Sequence, residues 1–221
     1  MHGKLIVFEG TDSSGKKTQV ELLAKRLKAE GKNAEVMSFP SYERTELGKL
    51  LSRYLKGEFG TKEQVGPEVG CMLYAMDRYQ FKGKIENTLK GGKTLILDRY
   101  IPSNIYQAAK AEGKERLAIW EWAKNMESRL PQPDVVVFLN VPAEVSAKLF
   151  AGREMKSALV GKALDIHEAD RAYQEAVRRL YLEVAKKERW IVIDCSRNGT
   201  MRRPEDIHED VYSKLKEKGA F

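Results

Sequence analysis

The chain has 221 residues, of which 42% are hydrophobic and 32% charged, and its formal net charge is +7. This length suits one domain with a full hydrophobic core, and the composition is that of a globular protein with no apolar run long enough to span a bilayer. The positive charge is compatible with nucleic acid, a membrane surface or small anionic molecules as partners, and charge alone does not choose among them.

Two further features of the composition narrow the class of protein. The first residues run directly into LIVFEG, without the basic segment, long apolar stretch and cleavage site of a secretory signal, so we expect a cytoplasmic protein. The two cysteines, Cys71 and Cys195, are too few and too far apart for a disulfide framework or a metal cluster. We interpret them as small buried apolar residues.

The first half of the chain alternates short apolar runs with helical patterns. In chain order it contains a predicted strand at 4–8 (KLIVF), a helix in TQVELLAKRLKAEGK, a strand at 34–39 (AEVMSF) closed by Pro40, a helix in TELGKLLSRYLKG ending near Gly57, and one long helix from Pro67 to the glycine pair at 91–92. Glycine and proline mark most of these ends because neither residue readily continues a helix or a central strand.

The second half repeats this alternation. In chain order it contains a strand at 94–98 (TLILD), a helix beginning at Pro102, a helix in ERLAIWEWAKNMESRL, a strand at 134–140 (DVVVFLN), a helix in VPAEVSAKLFAG, a helix over 166–188, a strand at 190–194 (WIVID) and a closing helix in PEDIHEDVYSKLKEKG. Short apolar strands separated by helices predict an α/β doubly wound fold, a five-stranded parallel sheet with helices on both faces. We expect residues 1–221 to form a single domain. REMKSALVGKALD at 153–165 has no clear periodicity, and we interpret this segment as a lid.

A glycine-rich stretch, GTDSSGK at 10–16, lies between the first predicted strand and the first predicted helix. A loop in this context points backbone N–H groups at anionic oxygens, and the lysine reaches phosphate. We therefore predict that phosphate is bound by Gly10, Ser13, Ser14, Gly15, Lys16, Lys17 and Thr18. A Gly/Ser turn that opens an ordinary helix is the alternative, and the strand, loop and helix arrangement favours the phosphate loop. The position after Lys16, where the pattern has a serine or threonine for magnesium, is occupied by Lys17.

Asp98 closes a predicted strand and Arg99 follows it, at the edge of a parallel sheet where ligands bind. A carboxylate there can hold magnesium, directly or through water, and a guanidinium can clamp a phosphate with two parallel hydrogen bonds. A plain ion pair at the end of the strand is the alternative for these two residues taken alone. Tyr74 and Arg78 lie four residues apart and share a helix face, which by itself is more typical of core packing with a surface ion pair.

Five stretches occur together in the order and approximate spacing found in thymidylate kinases, the P-loop enzymes that phosphorylate dTMP with ATP. They are VFEGTDSSGKKTQ, FPSYERTELGKLLSRYL, LYAMDRYQ, LDRYIPSNIYQAAK and LPQPDVVVFLNVPAEVSAKL. The chain resembles this family from residue 4 to about residue 195. The resemblance implies transfer of the γ-phosphoryl group of ATP to dTMP, giving dTDP and ADP for dTTP synthesis, with Mg2+ as cofactor. It also implies a flexible lid and suggests a homodimer packed through helices.

The resemblance implies roles in binding the acceptor nucleotide. Asp12 resembles the carboxylate that contacts the 3′-hydroxyl of the acceptor sugar, Tyr74 the aromatic that stacks on thymine, and Arg78 the arginine near O4 of the base. Ser103 and Gln107 match a polar pair that faces the base. The remaining acceptor residues implied by the resemblance are Phe39, Pro40, Arg44 and Arg99.

The catalytic residues implied by the resemblance are Lys16, Asp98, Arg99 and Arg153. Arg99 resembles the clamp on the acceptor phosphate, and Asp98 resembles the carboxylate that holds magnesium through water. Arg153 resembles the lid arginine near the adenine and phosphates of ATP. Ser13 stands where some members carry an arginine, so we expect the cation over the transferring phosphate to come from the lid. Tyr42 takes the place of the arginine in the family's F-P-x-R, which leaves Arg44 as the displaced candidate.

Two other functions fit parts of the sequence. One is a phosphate-loop kinase that acts on another nucleoside monophosphate or on a deoxynucleoside. The other is a noncatalytic nucleic-acid binder, but its lysines and arginines are interspersed with acids rather than gathered in one run with aromatics. We therefore expect no nucleic-acid or membrane partner. Because an ammonium cannot ligate a cation, we expect Lys17 to turn to solvent or to an acid such as Glu9 or Asp98.

Overall fold

A computed structural model of the chain describes residues 2–61, 64–149 and 170–221. Its main sheet has five parallel strands, which are β1 (Leu5–Gly10), β2 (Ala34–Ser38), β3 (Thr94–Asp98), β4 (Val135–Asn140) and β5 (Ile191–Asp194). Their order across the sheet is β2-β3-β1-β4-β5. This order confirms the predicted doubly wound parallel sheet, with β1 at its centre.

Helices connect the strands throughout the described residues. They are α1 (Lys16–Ala29), α2 (Glu46–Leu55), α3 (Pro67–Tyr79), α4 (Lys82–Lys90), α5 (Ile105–Ala108), α6 (Glu115–Met126), α7 (143–149), α8 (Arg171–Glu188) and α9 (Pro204–Glu217). Short 3-10 turns cover Tyr42–Arg44 and Ile101–Asn104. The predicted lid at 153–165 and residues 166–169 of the predicted helix lie outside the described residues.

The sequence prediction of one long helix over 67–92 is wrong. The chain breaks into α3 and α4 at Gln80 and Phe81. The Phe81 ring turns inward and packs edge to face on Phe39, with ring centroids 5.6 Å apart, while the Gln80 amide donates to the backbone oxygen of Asp77 at 3.1 Å. Tertiary packing therefore overrides a helical pattern that is continuous in the sequence.

The predicted helix from Pro102 is also shorter than expected. It consists of a 3-10 turn followed by α5, which is a single turn. At its start the Tyr100 N–H and the Ser103 hydroxyl both donate to the Glu9 carboxylate, so this segment is held by β1. The short helix begins only after those contacts.

A small hairpin escaped the sequence analysis. Strands β6 (Ser196–Arg197) and β7 (Thr200–Met201) pair antiparallel across Asn198 and Gly199, whose φ angles are 52° and 71°. Two consecutive residues with positive φ are typical of a type I′ turn, for which Asn-Gly is the preferred sequence. The signal was present in the sequence.

Apolar side chains cover both faces of the sheet. Helices α1 and α9 pack on one face, and α4, α6 and α8 contribute to the core on the other. Cys71 and Cys195 are buried and free, and burial raises the pKa of each thiol to about 12, which confirms their interpretation as core residues. No helix in the described part of the chain has the length and apolar character of a membrane span. The carboxyl ends of β1 and β3 bring Gly10 and Asp98 to the same edge.

Candidate active site

The loop between β1 and α1 has the backbone of a phosphate-binding nest. Ser13 and Gly15 have φ angles of 61° and 87°, in the left-handed region that turns successive N–H groups toward one side. A Cβ at Gly10 would lie 2.5 Å from the Ser14 Oγ and 2.9 Å from the Leu139 oxygen, so this position requires glycine. Helix α1 begins at Lys16 with its N-terminus at the loop.

Lys16 lies over this loop with its side chain buried. Its Nζ donates to the Thr11 oxygen at 2.8 Å, to the Gly10 oxygen at 3.1 Å and to the Ser14 Oγ at 3.3 Å. Burial, together with the positive charge of Arg99, lowers the pKa of Lys16 to about 8, although Asp12, Asp98 and Glu9 partly offset both effects. Lys16 is therefore a cation held in place by carbonyl oxygens that are weaker acceptors than phosphate.

The predicted phosphate-loop residues open onto one depression, which we name the loop cleft. All of them except Gly10 line this cleft, together with Asp98 and Arg99. The predicted residues concerned are Ser13, Ser14, Gly15, Lys16, Lys17 and Thr18. The loop cleft thus combines backbone donors, a lysine and an arginine, the groups that anionic oxygens require.

A second cavity adjoins the loop cleft, and we name it the tyrosine cavity because Tyr42, Tyr74, Tyr106 and Tyr173 line it. Most of the predicted acceptor residues lie in its wall, namely Asp12, Phe39, Pro40, Tyr74, Arg78, Arg99, Ser103 and Gln107. The two cavities share Asp12, Phe39, Pro40, Tyr42 and Arg99. A ligand in one cavity can therefore meet a ligand in the other at these residues.

Arg99 and Asp12 form an ion pair at this junction, with Nη2 2.5 Å from Oδ1. Tyr106 completes the cluster, since its hydroxyl donates to Asp12 Oδ2 at 3.1 Å and its ring lies 4.9 Å beneath the Arg99 guanidinium. Burial by itself raises the pKa of Asp12, but the charges of Arg99 and Lys16 outweigh it and hold the pKa below its usual value. Asp12 is therefore ionised and accepts hydrogen bonds. The backbone of Arg99 is left-handed, with φ of 66°, which aims its side chain into the junction.

Arg78 lies in the wall of the tyrosine cavity and is almost fully buried. Its Nε and Nη2 donate to the two Glu127 carboxylate oxygens at 2.6 and 2.7 Å, and Nη2 also donates to Asn104 Oδ1 at 2.9 Å. This pair replaces the surface ion pair considered for Arg78 from the sequence alone. Within the described residues Nη1 makes no hydrogen bond, so this one nitrogen of a fixed guanidinium is left for a ligand. Neither Glu127 nor Asn104 is predicted by a pattern in the sequence.

Ser103 is held by a buried carboxylate. Its hydroxyl donates to Glu9, with Oγ 2.8 and 3.0 Å from the two oxygens, and Glu9 also accepts from the Tyr181 hydroxyl at 2.8 Å and the Tyr100 N–H at 2.9 Å. Burial raises the pKa of Glu9, although Arg99 and these donors partly offset the effect. Glu9 accepts hydrogen bonds from these other groups, so of the alternatives expected for Lys17 the structure shows solvent and not Glu9.

The loop after β2 carries Phe39 and Pro40, joined by a cis peptide bond, into both cavities. Buried Asp77 anchors this loop, since its Oδ2 accepts from the Ser41 N–H at 2.8 Å and its Oδ1 accepts from the Ser41 hydroxyl. The guanidinium of Arg44 binds backbone oxygens of the same loop, including that of Ser38 at 2.6 Å. Arg44 is exposed and is not among the lining residues of either cavity.

Lys17 extends into solvent from the first turn of α1. Its Nζ lies 4.0 Å from Glu21, and 84% of its side chain is exposed. Asp98 lines the same cleft and has a buried Oδ1 without a hydrogen-bond partner within the described residues. No group of three or more metal-ligating side chains occurs in that part of the chain. An unpartnered carboxylate oxygen beside a phosphate loop fits a magnesium ion held mainly by phosphate and water.

Fold and site together define a P-loop phosphotransferase, with a phosphate loop at the carboxyl edge of a parallel sheet and a second cavity beside it. Comparison with known proteins shows to which family of P-loop phosphotransferases the chain belongs. The family model for thymidylate kinase matches residues 8–210. Human thymidylate kinase is 33% identical over 212 residues, which cover 95% of this chain and 88% of that protein. Thymidylate kinase from Mycobacterium tuberculosis (strain ATCC 25618 / H37Rv) is 31% identical over 216 residues, 92% of this chain and 99% of that protein.

The same family appears among solved structures. The structure of thymidylate kinase from Candida albicans matches with a TM-score of 0.74 and 25% sequence identity, over 99% of this chain and 93% of that one. The chain belongs to the thymidylate kinase family, whose members catalyse the ATP-dependent phosphorylation of dTMP to dTDP. This finding confirms the resemblance seen in the sequence.

Proposed function

We propose that dTMP binds in the tyrosine cavity and ATP on the phosphate loop, so that the γ-phosphoryl group passes between them at Arg99. The observation that carries this proposal is that Arg99 and Asp12 line both cavities. An acceptor phosphate bound to Arg99 would face the phosphates of ATP across the junction. The test is a coupled ADP-release assay with ATP, magnesium and each nucleoside monophosphate. We expect dTMP to be the best acceptor, and faster turnover of dGMP or CMP would contradict the proposal.

The acceptor base is recognised by an aromatic ring and fixed polar groups. Tyr74 stacks on thymine, and its edge-to-face contact with Tyr54, at 6.4 Å between ring centroids, keeps the ring in place. The remaining Nη1 of Arg78 donates to O4, which agrees with the fixed position of the guanidinium on Glu127. Phe39 and Pro40 also line this cavity.

The acceptor sugar and phosphate bind at the junction of the cavities. Ionised Asp12 accepts from the 3′-hydroxyl, and Arg99 exchanges part of its ion pair with Asp12 for the acceptor phosphate. The planar guanidinium offers two parallel donors to that phosphate. Because the acceptor is already an anion near neutral pH, catalysis rests on alignment and charge neutralisation rather than on a strong base.

Lys16 serves the phosphates of ATP. In this role Nζ leaves the loop carbonyls and donates to the β- and γ-oxygens, and the approach of phosphate favours its charged form. Lys16 and Arg99 then neutralise the charge that develops on the transferring group. Arg153 and the proposed lid at 153–165 lie outside the described residues, and their contribution over ATP remains a prediction. The same holds for the proposal that residues 1–221 form one P-loop kinase domain.

Magnesium fits the loop cleft beside Asp98. When bound with ATP it supplies further neutralisation of the β- and γ-oxygens. Asp98 would hold it through water with Oδ1, which is buried and without a partner within the described residues. Lys17 cannot act as a ligand, and its exposed position leaves the corresponding place to water.

We also propose a homodimer packed through helices. Val69, Met72 and Met76 occur at spacings of three and four residues on α3, and each is 42% exposed. Residues at these spacings share one face of a helix, and an apolar face of this kind suits a second copy of the chain. Sedimentation should give the mass of a dimer, and the variant Met72→Glu/Met76→Glu should be monomeric. A monomeric wild type would contradict this proposal. The cytoplasmic location expected from the sequence stays a prediction.

A further inference from the structure

The amide of Gln107 lies in the wall of the tyrosine cavity, on the single turn of α5. The residue is 3% exposed, and its Oε1 accepts a hydrogen bond from the Tyr54 hydroxyl at 3.1 Å. The amide rests against Gly70 of α3, where an added Cβ would lie 2.1 Å from Oε1. Only glycine admits the amide in this position. Helices α2 and α3 together therefore determine where the amide lies.

A third residue sets the direction of the hydrogen bond. Lys110 Nζ donates to the Tyr54 hydroxyl oxygen at 2.8 Å. An ammonium group can only donate, so the phenol oxygen accepts there and its single proton is directed to Gln107. If the amide were rotated by 180°, its NH2 group would face the Tyr54 O–H, so that two donors would meet without an acceptor. The contacts from Lys110 to Tyr54 and from Tyr54 to Gln107 thus assign Oε1 to the side of Tyr54.

The other end of the amide is left for the ligand. Gln107 lines the tyrosine cavity, and within the described residues its Nε2 makes no hydrogen bond. We propose that Gln107 determines base specificity by presenting a hydrogen-bond donor, and not an acceptor, to the nucleobase, with Tyr54 and Lys110 as positioning residues that fix this polarity. The inference rests on the proposed binding of dTMP in the tyrosine cavity and specifies the chemistry of its base.

Ser103 supplies the opposite polarity. Because its hydroxyl donates to Glu9, the oxygen offers only lone pairs toward the cavity. Thymine presents carbonyl acceptors on either side of an N3–H donor, whereas cytosine carries an amino group in place of O4 and an acceptor at N3. A donor from Gln107 and an acceptor from Ser103 therefore match a 2,4-dioxopyrimidine and oppose a 4-aminopyrimidine.

The test compares two probes that share the sugar, the phosphate and the 5-methyl group. These are dTMP and 5-methyl-dCMP, whose affinities are measured by titration calorimetry. In Gln107→Glu one carboxylate oxygen keeps the bond from Tyr54, and the other replaces the donor by an acceptor. We expect the wild type to prefer dTMP, and this preference to fall roughly tenfold or more in the variant, the effect of one mismatched hydrogen bond.

Variants of the two positioning residues separate hydrogen-bond polarity from packing. Tyr54→Phe keeps the ring against Tyr74 but removes the proton, and Lys110→Met removes the donor to Tyr54. Each should lower the preference for dTMP by roughly three- to tenfold, because the amide can then turn over. Lys110→Arg restores a donor and should recover most of the preference. Loss of packing alone would weaken both probes equally and leave their ratio unchanged.

The outcomes distinguish this inference from the proposed function. If Gln107→Glu binds dTMP with an unchanged preference, the inference is overturned and the proposed function stands. Equal weakening of both probes in Tyr54→Phe and Lys110→Met, without recovery in Lys110→Arg, overturns the role of the positioning residues. If the wild type shows the expected preference but releases no ADP with dTMP and ATP, the proposed function fails and the inference stands.

Discussion

Arg99 Nη2 and Asp12 Oδ1 lie 2.5 Å apart at the place where the loop cleft and the tyrosine cavity meet. The two residues are 87 positions apart in the sequence, and the parallel pairing of β1 with β3 brings them together. An arginine already paired with a carboxylate is held in position before the acceptor phosphate arrives. Asp12 thus orients the guanidinium that is proposed to bind the acceptor phosphate.

The first prediction concerns this arginine. Arg99→Lys keeps the charge but loses the planar fork, so turnover with dTMP should fall by roughly a hundredfold. The affinity for ATP, measured by calorimetry without dTMP, should stay within about twofold of the wild type. Lys17→Arg is a matched control on the exposed side of the loop cleft, and it should change neither quantity. An equal loss of ATP affinity in Arg99→Lys would assign this residue to the donor nucleotide instead.

The second prediction concerns pH and Lys16, whose pKa is lowered to about 8 by burial and by Arg99. The free protein loses the ammonium charge as the pH rises through this value, whereas bound phosphate favours the charged form. The dissociation constant for ATP should therefore be constant below about pH 7 and rise above about pH 8. Lys16→Arg stays charged throughout and should not share this rise in the same titration series. The same rise in both proteins would show that another group titrates.

Lys16 should also make folding stability depend on pH. Its contribution to the free energy of unfolding should rise with pH, whereas the affinity for ATP should fall. Between the lowered pKa of about 8 and the ordinary value of 10.5, the unfolded chain binds more protons at Lys16 than the folded one. The contribution of Lys16 to the free energy of unfolding therefore rises with pH across this window. Comparing the wild type with Lys16→Met by urea unfolding at several pH values isolates that contribution, since other groups titrate in both proteins.

The third prediction concerns the buried pair of Arg78 and Glu127, whose side chains are 2% and 0% exposed. Glu127→Gln leaves a buried guanidinium without its counter-charge, which should lower the free energy of unfolding by about 3 kcal/mol, measured with urea. Glu46→Gln removes the exposed partner of Lys49 and serves as the control, with no measurable change expected. Similar unfolding midpoints for the two variants would mean that Arg78 does not depend on Glu127.

Much of this architecture could be predicted from the sequence, because strands, helices and the phosphate loop depend on local residue patterns. Contacts between distant residues leave no such pattern. The apolar run TLILD and the glycines at 10 and 15 act through local conformation and burial, so they predict a strand and a phosphate loop directly. Glu127 gives no such signal, because its partner Arg78 lies 49 residues away and any exposed helix can carry a glutamate. Tyr181 reaches Glu9 across 172 residues. These contacts exist only once the helices have packed.

The break between α3 and α4 illustrates the same limit within one helix. Residues 67–92 keep a helical pattern throughout, and the break at Phe81 arises because its ring packs on Phe39 from another part of the chain. The direction of the Gln107 amide was equally inaccessible. A glutamine amide can both donate and accept, and the sequence does not show which of its atoms faces the cavity. The hydrogen bonds from Lys110 to Tyr54 and from Tyr54 to Gln107 assign Oε1 to Tyr54 and leave Nε2 for the cavity.

The fourth prediction concerns Lys17, which replaces the hydroxyl that normally contacts magnesium in a phosphate loop. The wild type should depend on magnesium but need more free metal than Lys17→Ser, since the serine restores a ligand where water is proposed. A magnesium titration at fixed ATP and dTMP should therefore give a lower half-saturating concentration for the variant. Calorimetry of ATP binding with and without magnesium provides a second readout that does not depend on turnover.

The contrary result for Lys17 is equally specific. If Lys17→Ser loses activity while its magnesium dependence is unchanged, Lys17 itself binds phosphate, and the proposed position of water in the loop cleft is wrong. Glu21→Gln is a suitable control. It removes the residue 4.0 Å from the Lys17 Nζ and should leave the magnesium titration unchanged.

We propose that the tyrosine cavity holds dTMP with its phosphate at Arg99, facing ATP. A crystal structure with dTMP and an unreactive ATP analogue would show where both nucleotides bind. We expect a thymine ring stacked on Tyr74, Nε2 of Gln107 within hydrogen-bond distance of a base carbonyl, and the acceptor phosphate bound to Arg99. A complex with dTMP outside this cavity, or with Arg99 still paired only with Asp12 and remote from the phosphate, would contradict it.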